Sequence, residues 1–245
     1  MFPRKTVSAL AVALALSACS NNDNPLNPPV GVLRVANAIS DSNPIDAEVE
    51  GLPSNINNIA FGTASGEKDV ADGNYRVTLR TTTNAGQVSF TDDPVTVDKN
   101  KVTVVYAVGR IADSSQQAFF VESQDTVLDS SQSEAQFVHA ASQHASALDI
   151  YVTAPGDALA SAIPKATLTY KTSSSQVIYT PGNYRIRITP QGDPLTVLFD
   201  SGPSGVPFPA ASAAQFAIMD NASNQIFLLV LTGDGGNHQV TNGSS

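Results

Sequence analysis

Three histidines stand in the 245-residue chain, at positions 139, 144 and 238. His139 and His144 lie close to Asp149, and two imidazoles with a carboxylate are a set that moves protons or holds a metal. A metal-dependent or hydrolytic enzyme with a site near His139, His144 and Asp149 is therefore one reading. A spacing of five residues across a strand-to-loop junction matches no ligand pattern, and a histidine bonding loop backbone accounts for the same residues. His238 falls in a Gly-rich stretch expected to be disordered. Asp46 and Asp149 each follow an aliphatic residue at the start of an apolar alternating run. A calcium or polar ligand would use them; a carboxylate accepting loop N–H groups is the simpler role. Gly233 to Asn237 has calcium-loop residue types without the spaced carboxylates. Tyr151, Tyr170 and Tyr179 offer an aromatic surface or ordinary packing, and with no Trp in the chain a sugar-stacking platform is weakened. Nucleophile elbows, phosphate loops and His-Glu-x-x-His are absent, so no catalytic residue, cofactor or metal is assigned.

Cys19 carries a different chemistry. Arg4 and Lys5 precede a short apolar run over Thr6 to Leu16, and Leu16-Ser17-Ala18-Cys19 resembles the lipobox of bacterial lipoproteins. The run is too short to span a bilayer, and it reads as a cleaved signal peptide over residues 1–18. Cys19 would then carry the lipid, and several acyl chains give stable anchoring where one does not. It is the only cysteine, so no disulfide forms within one molecule. Ser20 after the cysteine points to the outer membrane by resemblance to enterobacterial sorting. Residues 19–29 read as a lipidated flexible tether.

Composition limits the partners. The chain is 42% hydrophobic and only 14% charged, with a formal net charge of -9. So acidic a chain neutralises no phosphates, which excludes nucleic acid, and does not dock electrostatically on anionic lipid. The charge suits solubility of an exported protein.

The elements that would position these residues are strands. Val32, Leu33 and Val35 form one. Ile45 to Val49 alternate with period two, and Gly51 to Asn58 read as a loop. Tyr75 to Thr82, Val95 to Val97, Val102 to Val108 and Ala118 to Glu122 continue the series. The series then repeats. Gln136 to Ala140 follows Arg34 to Ala38 by 102 residues, and Leu148 to Val152 follows Ile45 to Val49 by 103. From Phe61/Tyr170 through Gly73/Gly182 to Pro94/Pro203 the offset is 109. The added length lies in the loop Pro155 to Pro164. Such a constant offset marks a duplication. In Gly73-Asn74-Tyr75-Arg76 and Gly182-Asn183-Tyr184-Arg185, a turn feeds a core strand. Tyr75, Val77 and Leu79 face a core, while Arg76 and Arg185 are expected to be solvated. Gly-x-Tyr resembles the tyrosine corner of Ig-like folds. Its usual acidic residue is replaced by Ala71 and Thr180, so a related tie with another partner is expected.

The second copy resembles the domain-of-unknown-function 4397 family. Gln136-Phe137-Val138-His139-Ala140-Ala141-Ser142, Leu148-Asp149-Ile150-Tyr151-Val152 and Pro181-Gly182-Asn183-Tyr184 carry the likeness. The first copy departs at Asn37, Ala47-Glu48 and Asp72. The resemblance implies an extracytoplasmic β-sandwich and no established activity.

Together these readings give an all-β protein of two tandem antiparallel β-sandwich domains, Ig-like or prealbumin-like, over 30–133 and 134–232. A disordered tail is expected over 233–245. The expected role is a non-enzymatic binding or scaffolding module for an envelope protein or glycan. It would be held at the bacterial cell envelope, at the outer membrane, through the lipid on Cys19.

Overall fold

The structure, a computed structural model, describes residues 29–233 and 235–240. Cys19, residues 1–18 and the tether up to residue 28 lie outside the described residues.

Eight strands make the first half: β1 (Val30–Asn37), β2 (Ile45–Val49), β3 (Ile56–Ile59), β4 (Lys68–Ala71), β5 (Gly73–Thr83), β6 (Gly86–Val97), β7 (Lys101–Val108) and β8 (Gln117–Gln124). The second half holds β9 (Ser133–His139), β10 (Leu148–Thr153), β11 (Ala166–Leu168), β12 (Val177–Tyr179), β13 (Gly182–Pro190), β14 (Phe199–Asp200), β15 (Val206–Phe208), β16 (Ser212–Asp220), β17 (Ile226–Thr232) and β18 (Asn237–Val240). Among the described residues no helix is long and apolar enough to cross a membrane.

The strands form two sandwiches. In the first, the sheet β3-β2-β5-β6 packs on β4-β1-β7-β8. In the second, β11-β10-β13-β14, with β15 also on β13, packs on β12-β9-β16-β17-β18. Each interior is filled by alternate residues: Leu33, Val35, Val77, Leu79 and Val105 in one, Phe137, Ile150, Ile186, Phe216 and Leu228 in the other. The sandwiches are not wholly antiparallel as the sequence predicts. β1 pairs with β7 in parallel, and β9 with β16 likewise. The first strand of each copy is thus flanked on both sides, which removes an exposed edge at the chain's entry. β3 occupies part of the expected Gly51–Asn58 loop.

A third core joins the two halves. The opposite faces of β1, β7 and β8 contribute Ala36, Val104, Tyr106, Val108 and Val121. These meet Val138, Ala217, Met219, Phe227, Leu229 and Leu231 from the second half. The two inner sheets are therefore buried on both faces, and side-chain alternation sends neighbours to different cores. In β17, Ile226, Leu228 and Val230 enter the second sandwich while Phe227, Leu229 and Leu231 enter the seam. The seam is reciprocal. Phe61 packs edge-on against Phe227 of β17, with ring centres 5.6 Å apart. Lys171, next to Phe61's counterpart Tyr170, donates to Gln117 Oε1 of β8 at 2.7 Å. Each half thus presents a similar patch to the other, as in an isologous dimer.

Polar groups in the seam are paired. Arg34 is buried and donates to Ser65 O at 3.2 Å, then across the seam to Thr232 O at 3.0 Å and Gly236 O at 3.2 Å. Tyr106 Oη donates to Gln215 Oε1, and burial pushes this phenol far above its ordinary range. Gln239 Nε2 donates to Gly62 O at 2.7 Å. Gly62 has φ +70, a conformation glycine adopts without strain, and a Cβ there would lie 2.2 Å from Gln239 Nε2, so a larger residue would displace that amide from its bond. Asn237–Val240 correct the expected disordered tail: they form β18, paired with Leu228–Leu231, and Asn237 and Gln239 bond the first half. A short polar strand gains order here from ladder and seam bonds rather than from apolar burial.

The tyrosine ties take the expected new partner. Tyr75 Oη donates to Ala71 O and Tyr184 Oη to Thr180 O, both at 2.8 Å. A backbone carbonyl four residues upstream thus closes each turn before the core strand.

Because the seam core is continuous with both sheets, the halves unfold together. Leu229→Ala should cost about 2–5 kcal/mol and leave a single cooperative thermal transition. Two well-separated calorimetric transitions, in either protein, would contradict a shared core.

Candidate functional site

His139 sits fully buried at the end of β9. Its Nε2 donates to Ser146 O at 3.2 Å and its Nδ1 accepts from Ala141 N–H at 3.4 Å, which fixes the Nε2–H tautomer. Asn37 does the same work in the first copy: Oδ1 accepts from Ile39 N–H at 3.0 Å, and Nδ2 donates to Ile59 O at 3.1 Å. His139 is thus a loop clamp. Burial lowers its pKa, because a charged ring there would lose its water.

Asp149 does not join the histidines. Its Oδ1 accepts from Thr167 Oγ1 at 2.5 Å and its Oδ2 from Gly192 N–H at 2.8 Å. Asp46 likewise accepts from Asn58 N–H at 2.8 Å. The carboxylate beside His144 is instead Asp220, with Nδ1 to Oδ2 at 4.0 Å. Asp220 also accepts from Gln143 N–H at 2.5 Å, and burial raises its pKa. Tyr170 stands edge-on to His139 at 5.8 Å, its phenol pushed up to about 12 by burial. Asp220 lies far along the sequence from His144, at the end of β16, and no local signal announces it. These groups hold the 3-10 turn Ser142–His144 against β16. Among the described residues no three His, Cys, Asp or Glu side chains converge as metal ligands.

The open site lies at the other end of the second sandwich. The connection Ala154–Lys165 joins β10 to β11 with twelve residues, whereas Glu50–Asn55 joins β2 to β3 with six. This is the added length seen in the sequence. Buried Arg187 secures its base, Nη2 donating to Thr153 Oγ1 at 2.8 Å and Asp157 O at 3.1 Å. Between the loop and the turn after β12 runs a groove of about 640 Å³, lined by Thr153, Asp157, Ile163, Lys165, Tyr179 and Tyr184. Tyr179 and Tyr184 form its aromatic wall, backed by buried Phe208, with ring centres 4.8 to 5.3 Å apart. Tyr179 Oη is buried without a hydrogen-bond partner among the described residues, and burial pushes its pKa up to about 12. The wall mixes aromatic, aliphatic, hydroxyl and charged groups, as small-ligand and glycan clefts do.

Of the three tyrosines expected to share a surface, Tyr151 is buried in β10, Tyr170 belongs to the seam and only Tyr179 lines the groove. Tyr184 is its partner instead. Arg185 is not simply solvated, since it grips Asp200 with two bonds of 2.8 and 2.5 Å.

Residues 31–151 match the family model described as Domain of unknown function (DUF4397). That stretch of the chain belongs to the family. The match covers the first copy from Gly31 on, including Asn37, and runs through β9 into β10 of the second. No curated protein matches the chain. Among solved structures, one of a "putative cell adhesion protein" from Bacteroides uniformis ATCC 8492 aligns with 84% of this chain and 98% of its own. The identity is 9% and the TM-score 0.26, and so loose a superposition carries no argument.

The His139 clamp predicts a pH effect. The native ring stays neutral while the unfolded ring protonates near 6.5. The unfolded state then binds more protons, so this contribution to stability is present above about 6.5 and is lost as pH falls through it. His139→Asn, which copies Asn37, should remove this slope. The wild-type minus variant stability, from urea melts, should be flat above about pH 7 and fall below it; a difference independent of pH would refute the assignment.

Proposed function

We propose that this chain is a cell-envelope lipoprotein, exported by residues 1–18 and held at the outer membrane by lipid on Cys19. It acts as a non-enzymatic binding or scaffolding module, and the groove beside Tyr179 and Tyr184 receives its protein or glycan partner. The observation that carries this is the twelve-residue loop Ala154–Lys165: the second copy has it where the first has six residues, and it forms one wall of the groove opposite Tyr179 and Tyr184. A second sandwich fixed rigidly to the first gives such a cleft a steady platform, as binding loops require. The non-enzymatic reading is supported by His139 and Asp149, which spend their polar atoms on loop backbone and on Thr167.

Two outcomes are expected. Cys19→Ser should stop incorporation of labelled fatty acid and move the protein from the membrane to the soluble fraction; unchanged labelling would end the lipoprotein reading. Ile163→Asp combined with Lys165→Glu changes two exposed side chains, so melting should be unchanged. Binding on a glycan array, or capture of an envelope protein, should be lost in this variant and kept in Leu195→Asp, which alters the opposite end. Equal binding by all three proteins would remove the groove from consideration.

A further inference from the structure

The seam sets both sandwiches the same way up. At one end, Gln176 beside the start of β9 bonds the end of β8 in both directions, accepting from Gln124 N–H at 2.7 Å and donating to Gln124 O at 3.1 Å. At the other end, Ser142 donates to Gly109 O at 3.4 Å and Lys171 meets Gln117. Pro29, where the chain arrives from Cys19, lies at the first end, its carbonyl accepting from Asp72 N–H at 2.9 Å. The linker Asp125–Gln132 and the groove loop are at that end too, because β8, β10 and β12 all run toward it.

Six large hydrophobic side chains are exposed among the described residues, and four belong to this end: Val30, Val127, Ile163 and Ile178. Val127 is 98% exposed and Ile163 is 82% exposed. Leu195 and Val197 belong to the opposite end, in the loop after β13.

We propose that this end is a bilayer-contacting surface. Val127 and Ile163 seat in the interfacial layer of the membrane that holds the Cys19 lipid, and the groove takes its partner at that membrane's surface. The proposal rests on the lipid anchor. Eleven residues from Cys19 to Pro29 reach at most about 40 Å, so the end bearing Pro29 is the one kept beside the membrane. A tether that short raises the local concentration of lipid around a weak apolar contact, which needs little affinity of its own. Charge does not drive the contact. Asp125, Asp129 and Asp157 are exposed here beside Lys99 and Lys165, so the surface is apolar with a mildly acidic surround. Contact should therefore be insensitive to salt and to the anionic lipid content.

The test uses the full lipidated chain in phosphatidylcholine vesicles. Val127→Cys, Ile163→Cys and Leu195→Cys each carry an environment-sensitive fluorophore, and Cys19 is blocked by its lipid. Lipids bearing a spin label just below the headgroup should quench the dyes at 127 and 163 and leave 195 bright, equally at low and high salt. Failure of the chain to float with the vesicles would sink the anchor and this surface together. Flotation with bright dyes at all three positions, or with equal quenching at 163 and 195, would overturn the surface alone.

Discussion

Everything in this molecule follows from sheets that have no wet face. The inner sheet of each sandwich is apolar on both sides, so neither half can end at its own core. One face fills the sandwich and the other needs a second sheet. The third core meets that need, and it explains why Val102–Val108 and Ile226–Leu231 read as near-continuous apolar runs rather than alternating ones. Antiparallel sheets open to water on one side alternate; sheets covered on both sides do not. Arg34, Gln136 and Gln215 are tolerated in this seam because their polar atoms meet carbonyls, each other's amides or the Tyr106 hydroxyl, and an unpaired group there would carry the full desolvation penalty.

The two copies keep the clamp chemistry while varying the residues. Asn37 and His139 make the same pair of bonds with different side chains, and only the histidine adds a titrating group. Asp46 and Asp149 both tie loops. The divergence with functional consequence is a matter of length: six residues against twelve between the second and third strands. Arg187 makes the longer loop sustainable, since a loop of that size needs internal ties to keep one shape.

The duplication, the positions of most strands, the tyrosine ties and the backbone roles of His139 and Asp149 were legible in the sequence, because each rests on short local patterns or on their recurrence; the parallel pairing of the first strand in each copy was not. The seam was not. A second buried face leaves the strand pattern intact and only fills its polar positions, so Phe227 and Leu229 look like more strand. Asp220 escaped because its pairing with Gln143 and His144 is made by folding alone. β18 escaped because Asn237, His238 and Gln239 resemble a tail by composition, and their order comes from the neighbouring strand and the seam. Tyr184, read as a corner residue, does that task and also walls the groove.

The parallel pairing of β1 with β7 also has a mechanical side. The chain enters β1 at Pro29, and β1 is clamped between β4 and β7 in the middle of its sheet. A pull on Pro29 along the strand loads the ladder bonds on both flanks together, in shear. They cannot open one at a time, as an edge strand peels. Pro29 is therefore a point at which a pull along the chain meets high resistance.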